Sequence, residues 1–312
     1  MPFEVNIQHD GPFPSIHLLH RDKQVSAEVY AFGALLNAYT VLKNGQTMQC
    51  IDAFPSKDYA LSEIKSGFKS AKMSPFACRL KHGQYRFGDE QFQVKKYFLG
   101  KHAIHGLLFD ALFEIDDISA TEEGAKVELS YHYEGQEEGY PWPFDMQVTY
   151  LLNEAGALEI TTVVSHNQPE AIPIMDGWHP YFQLGEFIND CSLQIFSERR
   201  VDMDDEIIPT GHMIADNRFI EPHLLEGVPL DDCFQLQARP DYLACVLKNQ
   251  IWCFSIYSIT GYPYLQVYTP DSRRSIAIEC LSAPPDAFNH TQGLIELEPH
   301  VQQTFKAIYH LE

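Results

Sequence analysis

The chain has 312 residues, of which 45% are hydrophobic and 12% aromatic, and its formal net charge is −21 at pH 7. This composition supports a large packed core, and the negative charge argues against partners that present nucleic-acid phosphates or an anionic membrane surface. A small neutral ligand fits this charge better than a polyanion, although solubility alone explains the charge more simply. The sequence shows neither an apolar run long enough to span a bilayer nor a signal peptide, so we expect a soluble cytoplasmic protein.

The cysteines point away from metal and disulfide chemistry. There are seven of them, their spacing is irregular, and no C-x-x-C pair occurs. An odd count without paired spacing is typical of reduced thiols rather than of a zinc module or a disulfide framework. We therefore expect no metal site.

Along the chain, one helical segment is followed by a long series of strands. The best helical stretch is residues 58–68, which Gly67 limits. Period-two alternation of apolar residues then predicts a strand at residues 125–133 and four hairpins, which turn at Gly88–Asp89, at residues 153–156, at Lys248–Asn249 and at Pro270–Asp271.

The organisation predicted from this pattern is a single all-β domain over residues 1–312. The sequence has no flexible linker, no low-complexity tract and no repeat at a fixed spacing. Many strands with a turn about every ten residues favour a large antiparallel β-sandwich with few short helices. The concave face of such a sheet is a natural place for an open ligand groove.

Two histidines stand in the stretch "HAIHG", at His102 and His105. Their i,i+3 spacing on a predicted loop could be read as half of a zinc site, but further ligands are not apparent. The simplest interpretation of this stretch alone is that both are structural histidines.

A third histidine lies in "GWHPYF", where Trp178, Tyr181 and Phe182 surround His179. Such aromatic residues are more often core than ligand site. However, a dry aromatic pocket with one proton carrier is also suited to a sugar ring, whose apolar face stacks on aromatic side chains.

Candidate carboxylates occur at Glu279, in "IAIEC", and at Asp231, the first residue of "DDCF". Glu279 follows an apolar run, so burial would raise its pKa and make it a candidate general base. This stretch alone fits a strand-end glutamate on the solvent face equally well. If Asp231 and Asp232 lie on a strand, only one of them can face a common groove. Arg79, between apolar stretches, could pair with a carboxylate or contact a ligand hydroxyl, although a lone arginine of this kind is most often an ordinary surface charge.

Taken together, seven stretches resemble the aldose 1-epimerase family of galactose mutarotase-like proteins in order and approximate spacing. They are "GALLNAYTV", "ACRLKHGQYRF", "HAIHG", "GWHPYFQLG", "IIPTG", "LDDCF" and "ECLSAPPDAFN". The resemblance covers residues 27–290. It implies the galactose mutarotase-like supersandwich, an all-β fold that agrees with the alternation of the strands.

The resemblance also implies a reaction without metal or cofactor, the interconversion of the α and β anomers of a free aldose. Glu279 would take the proton from the anomeric hydroxyl, His179 would protonate the ring oxygen, and His105 would assist at the same ring. Asp231 and Arg79 would bind sugar hydroxyls.

Three positions depart from the galactose mutarotases and concern the choice of sugar. Cys78 and His102 each stand where those proteins have an asparagine, and Trp178 stands directly before His179. His102 and Trp178 are therefore candidate substrate-binding residues at the rim of the site. The alternatives are a non-catalytic carbohydrate-binding or sensor protein on the same fold, a sugar-phosphate epimerase, and a glycosidase that uses Asp231 and Glu279 as its two carboxylates.

Overall fold

The computed structural model describes residues 2–312. The first fifteen strands are β1 (Phe3–Gln8), β2 (Ser15–His20), β3 (Val25–Tyr30), β4 (Leu36–Lys43), β5 (Gln46–Gln49), β6 (Ala71–Met73), β7 (Arg79–Leu80), β8 (Gln84–Phe87), β9 (Glu90–Gln93), β10 (Phe98–Leu99), β11 (His102–Ile104), β12 (Glu114–Ala120), β13 (Gly124–Tyr133), β14 (Phe144–Asn153) and β15 (Leu158–Ser165). The remaining strands are β16 (Ile172–Ile174), β17 (Gly177–His179), β18 (Tyr181–Phe182), β19 (Ser192–Ile195), β20 (Arg199–Met203), β21 (Pro209–Ala215), β22 (His223–Leu224), β23 (Asp231–Gln235), β24 (Leu243–Lys248), β25 (Cys253–Thr260), β26 (Tyr264–Tyr268), β27 (Ile276–Leu281), β28 (Ile295–Leu297) and β29 (Gln303–Leu311).

Helical structure is confined to two short α-helices and two single 3₁₀ turns. The α-helices are α1 (Lys57–Glu63) and α2 (Ala287–His290), and the 3₁₀ turns are Lys81–Gly83 and Ile188–Asp190. Ser56 caps α1 by accepting a hydrogen bond from the Tyr59 amide, and the helix ends well before Gly67, which has a φ of 111°. The predicted helix thus exists but is shorter than residues 58–68. Within residues 2–312, no helix has the length and apolar character of a membrane span.

Two large antiparallel sheets form the sandwich. The first has nine strands in the order β12-β13-β14-β15-β29-β25-β24-β19-β22, and the second has eight in the order β21-β20-β23-β26-β27-β17-β6, with β18 paired to β27. Strands β1 to β5 form a further sheet in sequence order. The predicted all-β antiparallel sandwich is confirmed.

The core lies between the two large sheets, where side chains from alternate positions meet. Phe182 of the eight-stranded sheet packs on Phe254 and Tyr309 of the nine-stranded sheet, with ring centroids 4.5 and 5.3 Å apart. In β14 and β15, the apolar residues of the period-two pattern are all buried. The four predicted hairpins are confirmed as β8–β9, β14–β15, β24–β25 and β26–β27.

The register of the eight-stranded sheet brings polar residues from distant parts of the chain into one row. Cys233 of β23 lies opposite Gln266 of β26, which in turn lies opposite Glu279 of β27. Because alternate residues of a strand share a face, Asp231 and Tyr268 lie on the same side of this sheet.

A buried ion pair lies on the face of β17 that carries Trp178, opposite to the face that carries His179. Lys72 and Asp176 have fully buried side chains, and the Lys72 Nζ atom is 2.6 Å from Asp176 Oδ2. Asp176 Oδ2 also accepts a hydrogen bond from the Tyr262 hydroxyl at 2.7 Å, and Lys72 Nζ lies 4.2 Å from the centre of the Trp178 ring. This pair joins β6 to the start of β17 and so supports the strand that ends in His179.

Candidate active site

The site is a cavity of about 370 Å³ on the eight-stranded sheet, between the row of polar residues and the loops that join α1 to β6, β6 to β7 and β20 to β21. Five of the residues expected from the sequence line it, namely Arg79, His105, His179, Asp231 and Glu279. The rest of the lining is Lys65, Gly67, Phe68, Cys78, Leu99, Ile104, Tyr181, Ile207, Gln266, Tyr268 and Pro285.

Glu279 and His179 form the centre of the cavity. The Glu279 Oε1 atom lies 3.3 Å from His179 Nε2, and both side chains are more than nine-tenths buried. Glu279 comes from β27 and His179 from the end of β17, and these two strands pair in the same sheet. A carboxyl and an imidazole at this distance can exchange a proton and can present one donor and one acceptor to the same ligand.

Burial determines the protonation of this pair. It raises the pKa of Glu279 well above its ordinary value, an effect that Asp231 increases and that Cys78 and Arg79 oppose. It also lowers the pKa of His179 to about 4. Both shifts favour the uncharged groups, with the proton on the carboxyl in the ligand-free site.

His105 occupies the position directly after β11 in a left-handed conformation, with a φ of 59°. Its backbone N–H donates to the Cys78 carbonyl at 3.0 Å, and its ring meets that of His179 edge to face at a centroid distance of 4.7 Å. Burial, with a smaller contribution from His179, lowers the pKa of His105 well below its ordinary value. The two rings therefore line one wall as neutral groups.

Gly106 fixes the direction of the chain after His105. A Cβ atom at this position would lie 2.3 Å from the Ser74 carbonyl oxygen, and its φ is 73°. Only glycine fits this combination of close approach and left-handed backbone. The local path of the chain thus requires the glycine of the His-Gly pair.

Arg79, Asp231 and Gln266 provide polar groups around the central pair. Gln266 Nε2 donates to Asp231 Oδ1 at 2.7 Å, and this orients the amide. Gln266 Oε1 is buried, and no other atom of residues 2–312 donates to it. Asp232 points to the other face and binds Arg218, so of the two adjacent carboxylates only Asp231 lines the cavity.

Two expected substrate-binding residues lie outside the cavity. The Trp178 side chain points to the opposite face of β17, as alternation with His179 requires, and contacts Lys72 and Tyr150 in the core. The expectation that it forms part of the rim is wrong. His102 also lies outside the lining, because its Nδ1 accepts from the His82 amide at 3.0 Å and its Nε2 faces Glu206 at 3.4 Å.

The aromatic surface that we expected from Trp178 comes instead from Phe68, Tyr181 and Tyr268. Sequence reasoning also missed Gln266. Its signal is the stretch "YLQVY", in which one glutamine occupies an inward position between two tyrosines of a strand. A polar side chain at a position with core periodicity indicates either a buried hydrogen-bond network or a site.

The part of the chain that the structure describes contains no group of three or more His, Cys, Asp or Glu side chains arranged to hold a metal ion. His102 and His105, the possible zinc pair, have different surroundings: His102 faces His82 and Glu206, and His105 faces His179 and Phe68.

Comparison with known proteins identifies the family. The model of the family described as aldose 1-epimerase matches residues 15–310. The uncharacterized protein YihR of Escherichia coli K12 is 26% identical over 236 residues, which cover 72% of this chain and 74% of YihR.

Solved structures of the same fold are more distant in sequence. A GalM/aldose epimerase homologue from C. elegans has a TM-score of 0.82 at 19% identity, with 93% of this chain and 96% of that one covered. Galactose 1-epimerase from Lactobacillus acidophilus has a TM-score of 0.84 at 18% identity, with 99% of both chains covered. Since the family model spans nearly the whole sequence, the chain belongs to the aldose 1-epimerase family.

Proposed function

We propose that this protein is a cofactor-independent aldose 1-epimerase that interconverts the α and β anomers of a free aldose, with residues 1–312 acting as one domain. The observation that carries the proposal is the contact of 3.3 Å between Glu279 and His179 inside a cavity that Arg79, Asp231 and Gln266 also line. Membership of the family supports it. A protein that only bound sugar would have no need for an acid–base pair.

The chemistry requires one proton acceptor and one proton donor close to the same carbon. Anomer exchange removes a proton from O1 and delivers one to O5, and both oxygens are bonded to C1. Two adjacent groups can therefore serve both oxygens. In the proposed assignment Glu279 accepts the proton from O1 and His179 donates one to O5; after rotation about C1–C2 the ring closes with the roles reversed.

The protonation of the free site must change before this step, because burial leaves the proton on Glu279. Transfer of that proton across the 3.3 Å contact produces a carboxylate and an imidazolium, which are the base and the acid required. Arg79 in the cavity lining stabilises the carboxylate so formed. His105, held against the His179 ring, orients that ring and lines the wall beside the sugar.

Binding of the sugar is assigned to the remaining polar lining. Asp231 and Gln266 face the cavity as an acceptor pair whose orientation is fixed by their mutual hydrogen bond. Arg79 donates to hydroxyls, and Phe68, Tyr181 and Tyr268 offer ring faces to the apolar side of the sugar. The mixed lining, with Arg79 and Lys65 as its cations, suits a small polyhydroxylated ring.

The test is exchange NMR of the purified protein with glucose, galactose, mannose, xylose, arabinose and a hexose 6-phosphate at anomeric equilibrium. We expect faster α/β exchange for at least one sugar and a loss of about 10²–10⁴-fold in Glu279→Gln, the range typical of a positioned acid–base group. Glu298→Gln, which changes an exposed carboxylate in the same way, serves as the control and should leave exchange unchanged.

Saturable sugar binding without enhanced exchange would refute the proposal and identify a binding protein. Release of new reducing ends from an oligosaccharide would instead indicate a glycosidase. Full activity of Glu279→Gln would show that another group is the base.

A further inference from the structure

Cys78 lines the cavity and contacts Glu279, but it has no role in the reaction proposed above. Its Sγ atom is 3.6 Å from Glu279 Oε2, whereas His179 comes nearest to the other carboxylate oxygen, Oε1. The thiol lines the cavity and is 6% exposed. The two oxygens of Glu279 thus have separate partners, the imidazole on one side and the thiol on the other.

The backbone of the same residue holds the second histidine. The Cys78 carbonyl accepts the hydrogen bond from the His105 amide at 3.0 Å. One residue therefore contacts Glu279 through its side chain and His105 through its main chain. Its conformation is unusual as well, because a φ of 54° is in the left-handed region that a residue with a Cβ atom adopts at a cost.

We infer that Cys78 is a positioning residue of the epimerase, in which the S–H group donates to Glu279 Oε2 and holds the carboxylate in its ionised, base-competent orientation toward the sugar. This inference rests on the proposed function, since it takes Glu279 as the base.

The chemistry of the thiol fits this role. Burial raises the pKa of Cys78 well above its ordinary value, and the neighbouring Glu279 raises it further, so the sulfur keeps its proton and acts as a donor. Donation to the ionised form lowers the pKa of a carboxyl group, which opposes the effect of burial on Glu279. A thiol is a weak donor, and the expected effect is accordingly modest.

Other charged and titratable groups also act on Glu279, so the test must isolate the thiol. They are Arg79 beside Cys78, His179 on β17, Tyr181 on β18, Asp231 and Cys233 on β23, and Cys280 on β27. Substitution of Cys78 leaves all of these in place.

The experiment compares three variants by two independent measurements. Cys78→Ala removes the donor, Cys78→Ser keeps a hydroxyl donor, and Cys78→Asn offers an N–H donor on a residue that tolerates the left-handed backbone. The first measurement is the pKa of the Glu279 carboxyl, from ¹³C NMR of glutamate-labelled protein with Glu279→Gln to assign the signal. The second is the pH dependence of the anomer exchange rate.

In Cys78→Ala we expect the pKa of Glu279 to rise by up to about one pH unit, and the acid limb of the exchange rate to move to higher pH by the same amount. Cys78→Ser or Cys78→Asn should restore both. Cys191→Ala, which removes a buried thiol outside the cavity, is the control and should change neither quantity.

An unchanged pKa of Glu279 in Cys78→Ala would overturn the inference, as would a rate that falls equally at every pH. These outcomes are distinct from failure of the proposed function. If the pKa of Glu279 moves as expected but the wild-type protein accelerates no exchange, the contact stands and the epimerase assignment is refuted.

Discussion

The buried ion pair of Lys72 and Asp176 should contribute several kcal/mol to the stability of the fold, in the sense that loss of either partner is costly. Both side chains have zero exposure, and the Lys72 ammonium also approaches the Thr162 hydroxyl at 3.3 Å. Removal of one partner leaves the other charged and buried, which costs about 3–5 kcal/mol in comparable pairs. Lys72→Met and Asp176→Asn should each lower the free energy of unfolding by about this amount.

The double variant Lys72→Met/Asp176→Asn should be less destabilised than either single variant. It carries no buried charge, and the asparagine oxygen can still accept from the Tyr262 hydroxyl that now binds Asp176 Oδ2 at 2.7 Å. We expect a residual loss of about 1–2 kcal/mol, from the lost ion pair and its hydrogen bonds.

Urea unfolding at pH 7, followed by far-ultraviolet circular dichroism, gives the three free energies if the m-values stay constant. The matched control is Lys95→Met, which breaks an exposed pair with Glu138 and should leave the midpoint unchanged. The argument that each buried charge is stabilised by the other would be refuted in either of two cases. One is a loss of unfolding free energy below about 1 kcal/mol in the single variants, and the other is a loss in the double variant equal to the sum of the two single losses.

Two further predictions concern the cavity. Burial lowers the pKa of His179 from 6.5 to about 4, so between these pH values the unfolded chain binds a proton that the folded protein does not, and acidification destabilises the folded state. The free energy of unfolding of the wild type, relative to that of His179→Asn, should therefore fall by about 3 kcal/mol from pH 6.5 to pH 4 in urea titrations. The same pH dependence of stability in both proteins would contradict the burial of a neutral imidazole. Gln266→Leu removes the acceptor that faces the cavity and the donor to Asp231, so calorimetric sugar affinity should fall about tenfold, whereas unchanged affinity would exclude Gln266 from the binding surface.

Sequence periodicity predicted the strands well because it reports a local property. Each hairpin has alternating apolar residues on both sides of a turn, and the sandwich buries one face of each strand. The same rule, applied more strictly, would have corrected the expectation for Trp178, because consecutive strand residues point to opposite faces and His179 faces the cavity.

The remainder of the site depends on contacts that no local pattern contains. Lys72 stands in an ordinary-looking stretch, "SAKMS", and its burial is intelligible only with Asp176, 104 positions away. Likewise the partner of Cys78 is Glu279, 201 positions away. The family resemblance supplied the candidates Glu279, His179 and His105. Gln266 emerged only from the register of the sheet, and the thiol contact only from the packing of the β6–β7 loop against β27.

The register of β27 against β26 also links the proposed activity to correct folding of the sheet. Glu279 faces the cavity only because it lies opposite Gln266; a slip of one residue in β27 would place Ile278 or Cys280 there and send the carboxylate into the core. Such a molecule would keep its backbone hydrogen bonds and much of its secondary structure, yet it would lack the carboxylate that the proposed reaction needs as its base. The fraction of molecules with the proposed activity in a refolded sample therefore measures how many have β27 in the correct register. Spectroscopic measures of β-content cannot distinguish these molecules from misaligned ones.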